Sequence, residues 1–108
     1  MKQPQSLRTL TLSVKREYFE QMASGAKLFE YRLRTSFWAA RLVDKHYDQL
    51  VITLGYPKRE DAARRLVLEY AGYELQTITH PHFGPEPVDV YAIRVIGALN
   101  LLNHQQAN

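Results

Sequence analysis

The stretch that decides the fold lies at residues 25–34, where the sequence reads GAKLFEYRLR. Gly25 is a turn residue, and the positions after it alternate between two sets of side chains, which is the two-residue period of a strand. One face of this strand carries aromatic residues and leucine. The opposite face carries charges, which are Glu30, Arg32 and Arg34. The sequence therefore predicts a turn that leads into a charged strand over residues 27–34.

The residues before this turn predict a strand followed by a short helix. Apolar and polar residues alternate over positions 9–14, as expected for a strand with one buried face. Ser13 is a candidate N-cap for a helix over residues 15–24, and Gly25 can end that helix in the left-handed conformation. The order of elements is thus strand, helix, glycine turn and charged strand.

The residues after the charged strand predict further short elements. A helix is expected at residues 36–46, and strands are expected at residues 49–54, 73–79 and 88–95. Residues 61–71 fit either a helix or a strand, because periodicity cannot decide so short a segment. Residues 80–87 contain three prolines and a glycine, so we expect no regular structure there. The pattern indicates an α+β domain with a small, highly curved sheet or barrel.

Composition restricts the class of protein. A chain of 108 residues has room for one domain, and its 45% hydrophobic content is enough for a packed core. Cysteine is absent, so disulfides and cysteine nucleophiles are excluded. No apolar run approaches the roughly 18 residues that span a bilayer, and the first eight residues are polar. We therefore expect a soluble, cytoplasmic protein without a membrane partner.

The charged face of residues 27–34 is the first candidate site. Lys27, Glu30 and Arg32 place a carboxylate among cations, and this arrangement suits a planar polar ligand. The cations can bind phosphate or carbonyl oxygens, while the carboxylate accepts from an amine or hydroxyl. The net charge of +3 slightly favours a polyanion. The alternative interpretation is a ladder of surface ion pairs, which contributes little to stability.

The motif around this site resembles that of a known family. A strand ending in Leu12-Ser13-Val14-Lys15, a short helix and then G-x-K-x-x-E-x-R from Gly25 are similar to the signature of the ASCH domain. The resemblance implies a PUA-like β-barrel of about five to six strands, flanked by two short helices, with a cleft proposed to bind RNA. It covers residues 7–97 of a single domain spanning 1–108 with frayed ends, and it favours a strand at residues 64–70.

The resemblance also implies a possible activity. Some ASCH relatives are amidohydrolases acting on acetylated cytidine, with a lysine that matches Lys27, a threonine nucleophile and a later glutamate. This chain has Glu30 at the threonine position, and either Glu69 or Glu74 matches the later glutamate. The missing hydroxyl argues against that mechanism, although a carboxylate can activate water as a general base.

The proline-rich loop supplies a second set of candidates. His80 and His82 are two residues apart, and imidazoles can bind a metal or move protons in RNA cleavage. Only Glu86 lies nearby to complete a metal set, so we expect no metal and no cofactor. The alternative is a rigid loop in which the imidazoles cap backbone groups or stack on Phe83.

Aromatic residues among basic ones form a third set of candidates. Such mixtures suit single-stranded RNA, because bases stack on rings while cations bind phosphates. Tyr56 precedes a proline in a turn and is the candidate that we expect to be exposed. Phe37 and Trp38 are more typical of a core.

Three functions remain open at this stage. The preferred one is an RNA- or modified-nucleotide-binding domain, and its ligand-binding residues are Lys27, Glu30, Arg32, Arg34, Tyr56 and His82. The second is a small hydrolase, either a ribonuclease or a nucleotide amidohydrolase, in which Lys27 and Glu30 are catalytic and His80 or His82 is an alternative proton carrier. The third is a protein-interaction scaffold. The oligomeric state stays open, since residues 98–102 or a barrel edge could pair two copies.

Overall fold

The computed structural model describes residues 7–95. This part of the chain folds into six strands and two helices, which confirms the α+β class and the expected number of elements. The strands are β1 (Thr9–Val14), β2 (Phe29–Leu33), β3 (Gln49–Leu54), β4 (Arg65–Glu69), β5 (Tyr73–Ile78) and β6 (Val88–Arg94). The helices are α1 (Arg16–Ala23) and α2 (Ser36–Leu42), and 3-10 turns span Ala62–Arg64 and Pro81–Phe83.

Backbone hydrogen bonds group the strands into two three-stranded sheets. The first has the order β1-β3-β4, with β1 parallel and β4 antiparallel to β3. The second is wholly antiparallel, in the order β2-β6-β5. Both helices belong to the connection between the parallel strands β1 and β3, and β2 leaves this connection to join the other sheet. The charged strand is therefore an edge of its sheet.

The hydrophobic core lies mainly on the two central strands, β3 and β6. Leu50 and Ile52 of β3 are fully buried beside the inward residues of β1. In β6 the four consecutive residues Val90, Tyr91, Ala92 and Ile93 are all buried. The strand predicted at residues 88–95 is confirmed, and the burial of consecutive residues means that both faces of β6 are covered.

The first helix begins one residue later than predicted, and Ser13 is not its cap. The N-cap is Lys15, without a side-chain hydrogen bond. The Ser13 hydroxyl donates instead to the carbonyl oxygen of Gly55 at 2.9 Å, which joins the end of β1 to the turn after β3. Gly25 follows the helix with a φ of 83°, so the predicted left-handed ending is confirmed.

The second helix is shorter than predicted. It ends at Leu42, and Val43 is already extended. Asp44 has a φ of 59°, in the left-handed region that interrupts a helix. The strand interpretation of residues 61–71 is confirmed by β4, preceded by a 3-10 turn. The proline-rich loop is not wholly irregular, because Pro81 starts its own 3-10 turn, where a missing N–H costs nothing.

Within residues 7–95, no helix is both long and apolar enough to cross a membrane. The predicted frayed ends and the pairing segment at residues 98–102 lie outside the described residues.

Candidate ligand-binding cleft

A cleft of about 980 Å³ lies where the two sheets and both helices approach one another. Its walls are the end of β1, the starts of α1 and α2, strand β2, the turn after β3 and the 3-10 turn at Pro81–Phe83. This volume is that of a typical small-molecule site. Lys27, Glu30 and Arg32, which the sequence singled out, all line it.

Glu30 is the buried acceptor of the cleft. Only 7% of the residue is exposed. Its Oε2 accepts a hydrogen bond of 2.8 Å from Nη2 of Arg32. The same Nη2 donates to the backbone oxygen of Ser13 at 2.9 Å. Because Ser13 belongs to the first sheet and Arg32 to the second, the guanidinium links the two sheets beside the carboxylate.

Arg32 is held against an aromatic ring. Its guanidinium carbon lies 4.9 Å from the ring centroid of Trp38, within cation–π range. Its Nε is buried and has no hydrogen-bond partner among the described residues. A buried donor without a partner is unusual, and Nε of Arg65, which does not line the cleft, is another among the described residues.

Lys27 occupies an aromatic corner of the cleft. The turn after α1 positions it, since its backbone N–H donates to the oxygen of Gln21 at 3.0 Å. Its Nζ lies 4.4 Å from the ring centroid of Tyr31 and 5.3 Å from that of Tyr18. These cation–π contacts hold the ammonium at the cleft wall.

Burial shifts the pKa of both charged groups. Desolvation lowers the pKa of Lys27, and the negative charge of Glu30 counters part of this effect. Desolvation also raises the pKa of Glu30, against the charges of Arg32 and Lys27 and hydrogen bonds from Arg32 and the Tyr31 backbone. Perturbed titratable groups that meet in a cleft are typical of functional sites.

The two histidines line the cleft, and they also stabilise their own loop. Nδ1 of His80 accepts from the backbone N–H of His82 at 3.1 Å and caps the 3-10 turn. The ring of His82 packs edge-on against Phe83, with 5.0 Å between centroids. His80 therefore caps a backbone group, which is the alternative role that the sequence left open. Its Nε2 is the ring nitrogen left for a ligand. Within residues 7–95, no group of three or more metal-ligating side chains could hold an ion.

The structure separates the other predicted ligand residues. Arg34 lies beyond the end of β2, is exposed and does not line the cleft. Tyr56 lines the cleft and is 97% exposed, in agreement with the prediction. Phe37 is also a cleft residue and is 53% exposed, so its assignment to the core is wrong. Its position in the first turn of a short exposed helix, with the guanidinium of Arg41 on its ring, explains this exposure.

Sequence reasoning missed several cleft residues and weighed others incorrectly. Tyr18 of α1 is not among the predicted site residues, but it is half-buried and its ring centroid lies 5.3 Å from the ammonium of Lys27. Lys15 and Arg16 lie at the cleft edge because α1 begins there. Neither Glu69 nor Glu74 lines the cleft. Glu74 instead binds Arg94, at 3.1 Å.

Comparisons with known proteins provide no further assignment. No protein-family model matches the chain, and no curated protein or solved structure is similar enough to count as a match.

Proposed function

We propose that this chain is a cytoplasmic ASCH-type domain that binds RNA or a modified nucleotide in the cleft beside Lys27, Glu30 and Arg32. The observation that carries the proposal is the burial of the Glu30 carboxylate between two cations that rest on aromatic rings. Phosphates and base carbonyls are natural acceptors for the cations. Base faces can stack on exposed aromatic side chains of the cleft.

The energetics of these groups favour a ligand site over a structural ion pair. Burial disfavours the charged forms of both Lys27 and Glu30, so their presence in the cleft costs stability. Apolar side chains of similar size would avoid that cost. A polar ligand that hydrogen-bonds these groups would offset it, which gives a reason for the arrangement.

The PUA-like barrel is part of the same proposal. Six strands and two helices match the count that the resemblance implies. The backbone N–H of Val95 donates to the oxygen of Leu28 at 2.8 Å, which extends the contact between β6 and β2 beyond the strands themselves. The Arg32 guanidinium then bridges this sheet to β1 through Ser13. These contacts support two sheets that curve around one core.

Binding of short single-stranded RNA, followed by fluorescence anisotropy, tests the proposal. The informative variant is Lys27→Met, which removes the ammonium and keeps the stem, and its matched control is Lys45→Met. Lys45 is exposed and does not line the cleft, so this control makes the same charge change elsewhere. We expect Lys27→Met to weaken binding about tenfold and Lys45→Met to change it less than about twofold. Equal losses of RNA affinity in the two variants would indicate nonspecific charge attraction and refute binding in the cleft.

The perturbed Lys27 and Glu30 also favour a second candidate, a ribonuclease. The 2′-hydroxyl of the ribose would attack the adjacent phosphorus, Glu30 would take the hydroxyl proton, and the 5′-oxygen would leave with a proton from water or His80. Lys27 would stabilise the negative charge that develops on the phosphate. In this case Glu30→Gln should abolish cleavage seen on a gel while RNA is still bound. Uncleaved RNA with the native protein excludes this candidate.

An amidohydrolase is less favoured than a ribonuclease. The resemblance implies a second glutamate for that reaction, and both Glu69 and Glu74 lie away from the cleft. A native protein that neither binds nor cleaves RNA or nucleotides would leave the protein-interaction scaffold as the function to pursue.

A further inference from the structure

The order of hydrogen-bonding groups in the cleft carries information about the ligand. Glu30 is the only carboxylate that lines the cleft within the described residues. Arg32 contacts one of its oxygens, Oε2, and the Tyr31 backbone also donates to the carboxylate, while no side chain of residues 7–95 binds the second oxygen. A carboxylate oxygen offers two lone pairs, so Glu30 can still accept a hydrogen bond from a ligand.

Two cationic side chains supply donors near this acceptor. Nη2 of Arg32 is used by Glu30 and Ser13, and Nε is buried, so Nη1, which makes no hydrogen bond within the described chain, is the donor left for a ligand. Lys27 is the other cation near Glu30, and its ammonium lies on the rings of Tyr31 and Tyr18. It forms no ion pair with Glu30 within 4.0 Å, although the two charges attract each other.

Arg32 pairs with Glu30 while resting on Trp38, and Lys27 is attracted to Glu30 while resting on Tyr31 and Tyr18. From these separate contacts it follows that the carboxylate lies between the two donors, in the order donor, acceptor, donor. The aromatic contacts keep this order, because Lys27 rests on Tyr31 while Arg32 rests on Trp38. Cation–π contacts of this kind restrict the side chains before a ligand arrives, and such preorganisation reduces the entropy cost of binding.

Among the common bases, one hydrogen-bonding edge complements this order. The uracil edge presents a carbonyl, an N–H and a second carbonyl, which are O4, N3–H and O2. Neutral cytosine would place the N3 lone pair against the carboxylate, and adenine would do so with N1. Guanine would direct its exocyclic amine at one of the cations. A mismatch of this kind leaves buried groups unpaired, which costs far more than a missing contact at a surface.

We propose that the cleft selects a cyclic imide edge, as in uridine and its derivatives modified elsewhere on the ring, with N3–H donating to Glu30 and the two carbonyls accepting from Lys27 and Arg32. This inference rests on the proposed function and narrows its ligand to one chemical class. The imide belongs equally to a uridine within RNA and to a free uridine nucleotide.

Competition binding with the native protein tests the imide directly. The probe is a labelled eight-nucleotide oligouridine, and the competitors are UMP, CMP, AMP, GMP and the 3-methyl derivative of UMP. We expect UMP to compete at least about tenfold better than each of the others. The 3-methyl derivative is the sharpest competitor, because it retains both carbonyls and loses only the N–H. If UMP competes measurably and its 3-methyl derivative competes equally well, the inference is overturned.

Labelled oligocytidine and oligoadenosine separate this inference from the proposed function. Equal, Lys27-dependent affinity for all three oligomers would overturn the imide while leaving the RNA-binding cleft in place. No affinity for any oligomer or nucleotide would overturn both. Oligouridine that binds when UMP does not compete would assign the site to RNA, and competition by UMP would extend it to the free nucleotide.

A variant provides an independent test of the acceptor. In Glu30→Gln the amide oxygen can accept from Arg32, so the amide nitrogen turns its N–H groups to the cleft. The amide N–H groups would then face the N3–H donor of uridine, whereas they could donate to the N3 lone pair of cytidine. We therefore expect the preference for oligouridine over oligocytidine to fall at least about tenfold. Glu74→Gln is the matched control, since Glu74 is paired with an arginine outside the cleft. An unchanged preference in folded Glu30→Gln would overturn the inference, and if that variant does not fold, the methylated competitor decides.

Discussion

Replacing Arg32 by methionine should destabilise the protein by about 3 kcal/mol at pH 7. The Glu30 side chain is 10% exposed and that of Arg32 is 21% exposed, so the variant leaves a carboxylate in the cleft wall without its main partner. Breaking a buried pair on one side costs about 3–5 kcal/mol. We expect a loss at the low end of this range, because the positive charge of Lys27 still stabilises the Glu30 carboxylate and lowers its pKa. Methionine keeps an apolar stem beside Trp38, so most of the loss is electrostatic. Urea unfolding followed by circular dichroism measures it.

The cost of Arg32→Met should depend on pH, and the sign follows from the pKa of Glu30. Burial raises that pKa above its usual value of 4.5, and Arg32 lowers it, so the variant raises it further. When the pKa of a carboxyl group is higher in the folded state than in the unfolded state, the group stabilises the fold at a pH below its unfolded-state pKa. This stability is lost as the pH rises through the folded-state pKa. The variant should therefore lose clearly less stability at pH 4.5 than at pH 7, because the raised pKa lets more of Glu30 become protonated and uncharged at the lower pH.

Two further variants complete this test. Adding Glu30→Gln to Arg32→Met should recover most of the stability at pH 7, because no charge is then left buried. Glu74→Gln removes a pair of similar length, 3.1 Å, whose side chains are 34% and 43% exposed, and it should cost less than about 1 kcal/mol. A loss below about 1 kcal/mol for Arg32→Met at pH 7, or equal losses at the two pH values, would refute the account of a buried, partner-dependent carboxylate.

Other expectations concern single residues of the site. In an NMR titration of the protein with ¹³C-methylated amines, the pKa of Lys27 should lie below the usual lysine value of 10.5. Glu30→Gln should lower this pKa further, since the charge of Glu30 raises it. A Lys27 pKa at or above the usual value contradicts this. Thr35→Ala should lower the free energy of unfolding in urea by about 1 kcal/mol, because the Thr35 hydroxyl oxygen accepts from the backbone N–H of Trp38 at 3.3 Å and caps α2. Thr35→Ser keeps a hydroxyl and should cost little. Lys15→Ala should reduce the salt slope of RNA binding by about 0.7 if this exposed lysine contacts one phosphate, and an unchanged slope would place the RNA elsewhere.

Local patterns predicted the elements that depend on neighbours in sequence. The strand at residues 29–33 and the left-handed turn at Gly25 follow from alternation and from glycine's freedom at positive φ. The prediction for α2 ran four residues too far, because periodicity does not reveal the left-handed Asp44. The alternation of residues 88–95 does not reveal that four consecutive residues of β6 are buried. Such burial depends on what packs against each face of the strand, and the sequence does not supply that arrangement.

The same distinction applies to the site. Lys27, Glu30 and Arg32 stand close together along the chain, so one motif was enough to find them. Their immediate surroundings come from distant segments, and no spacing rule linked Tyr18 or Trp38 to them. Phe37 was misassigned for a related reason. Aromatic residues are usually buried in small domains, and only the packing of α2 leaves this ring at the cleft.

The parallel pairing of β1 with β3 has a consequence for the order in which the protein folds. Partners such as Thr9 and Gln49 are 40 positions apart, whereas β5 and β6 meet across a short loop. Closing a long loop before its contacts form costs entropy, so the local hairpin should form early and the parallel pair late. Ser13 reaches Arg32 only after that last step. A newly synthesised chain would then acquire its structure from the hairpin outward and become competent for ligand in the slowest folding phase, which makes ligand capture during refolding a reporter of the completed native state.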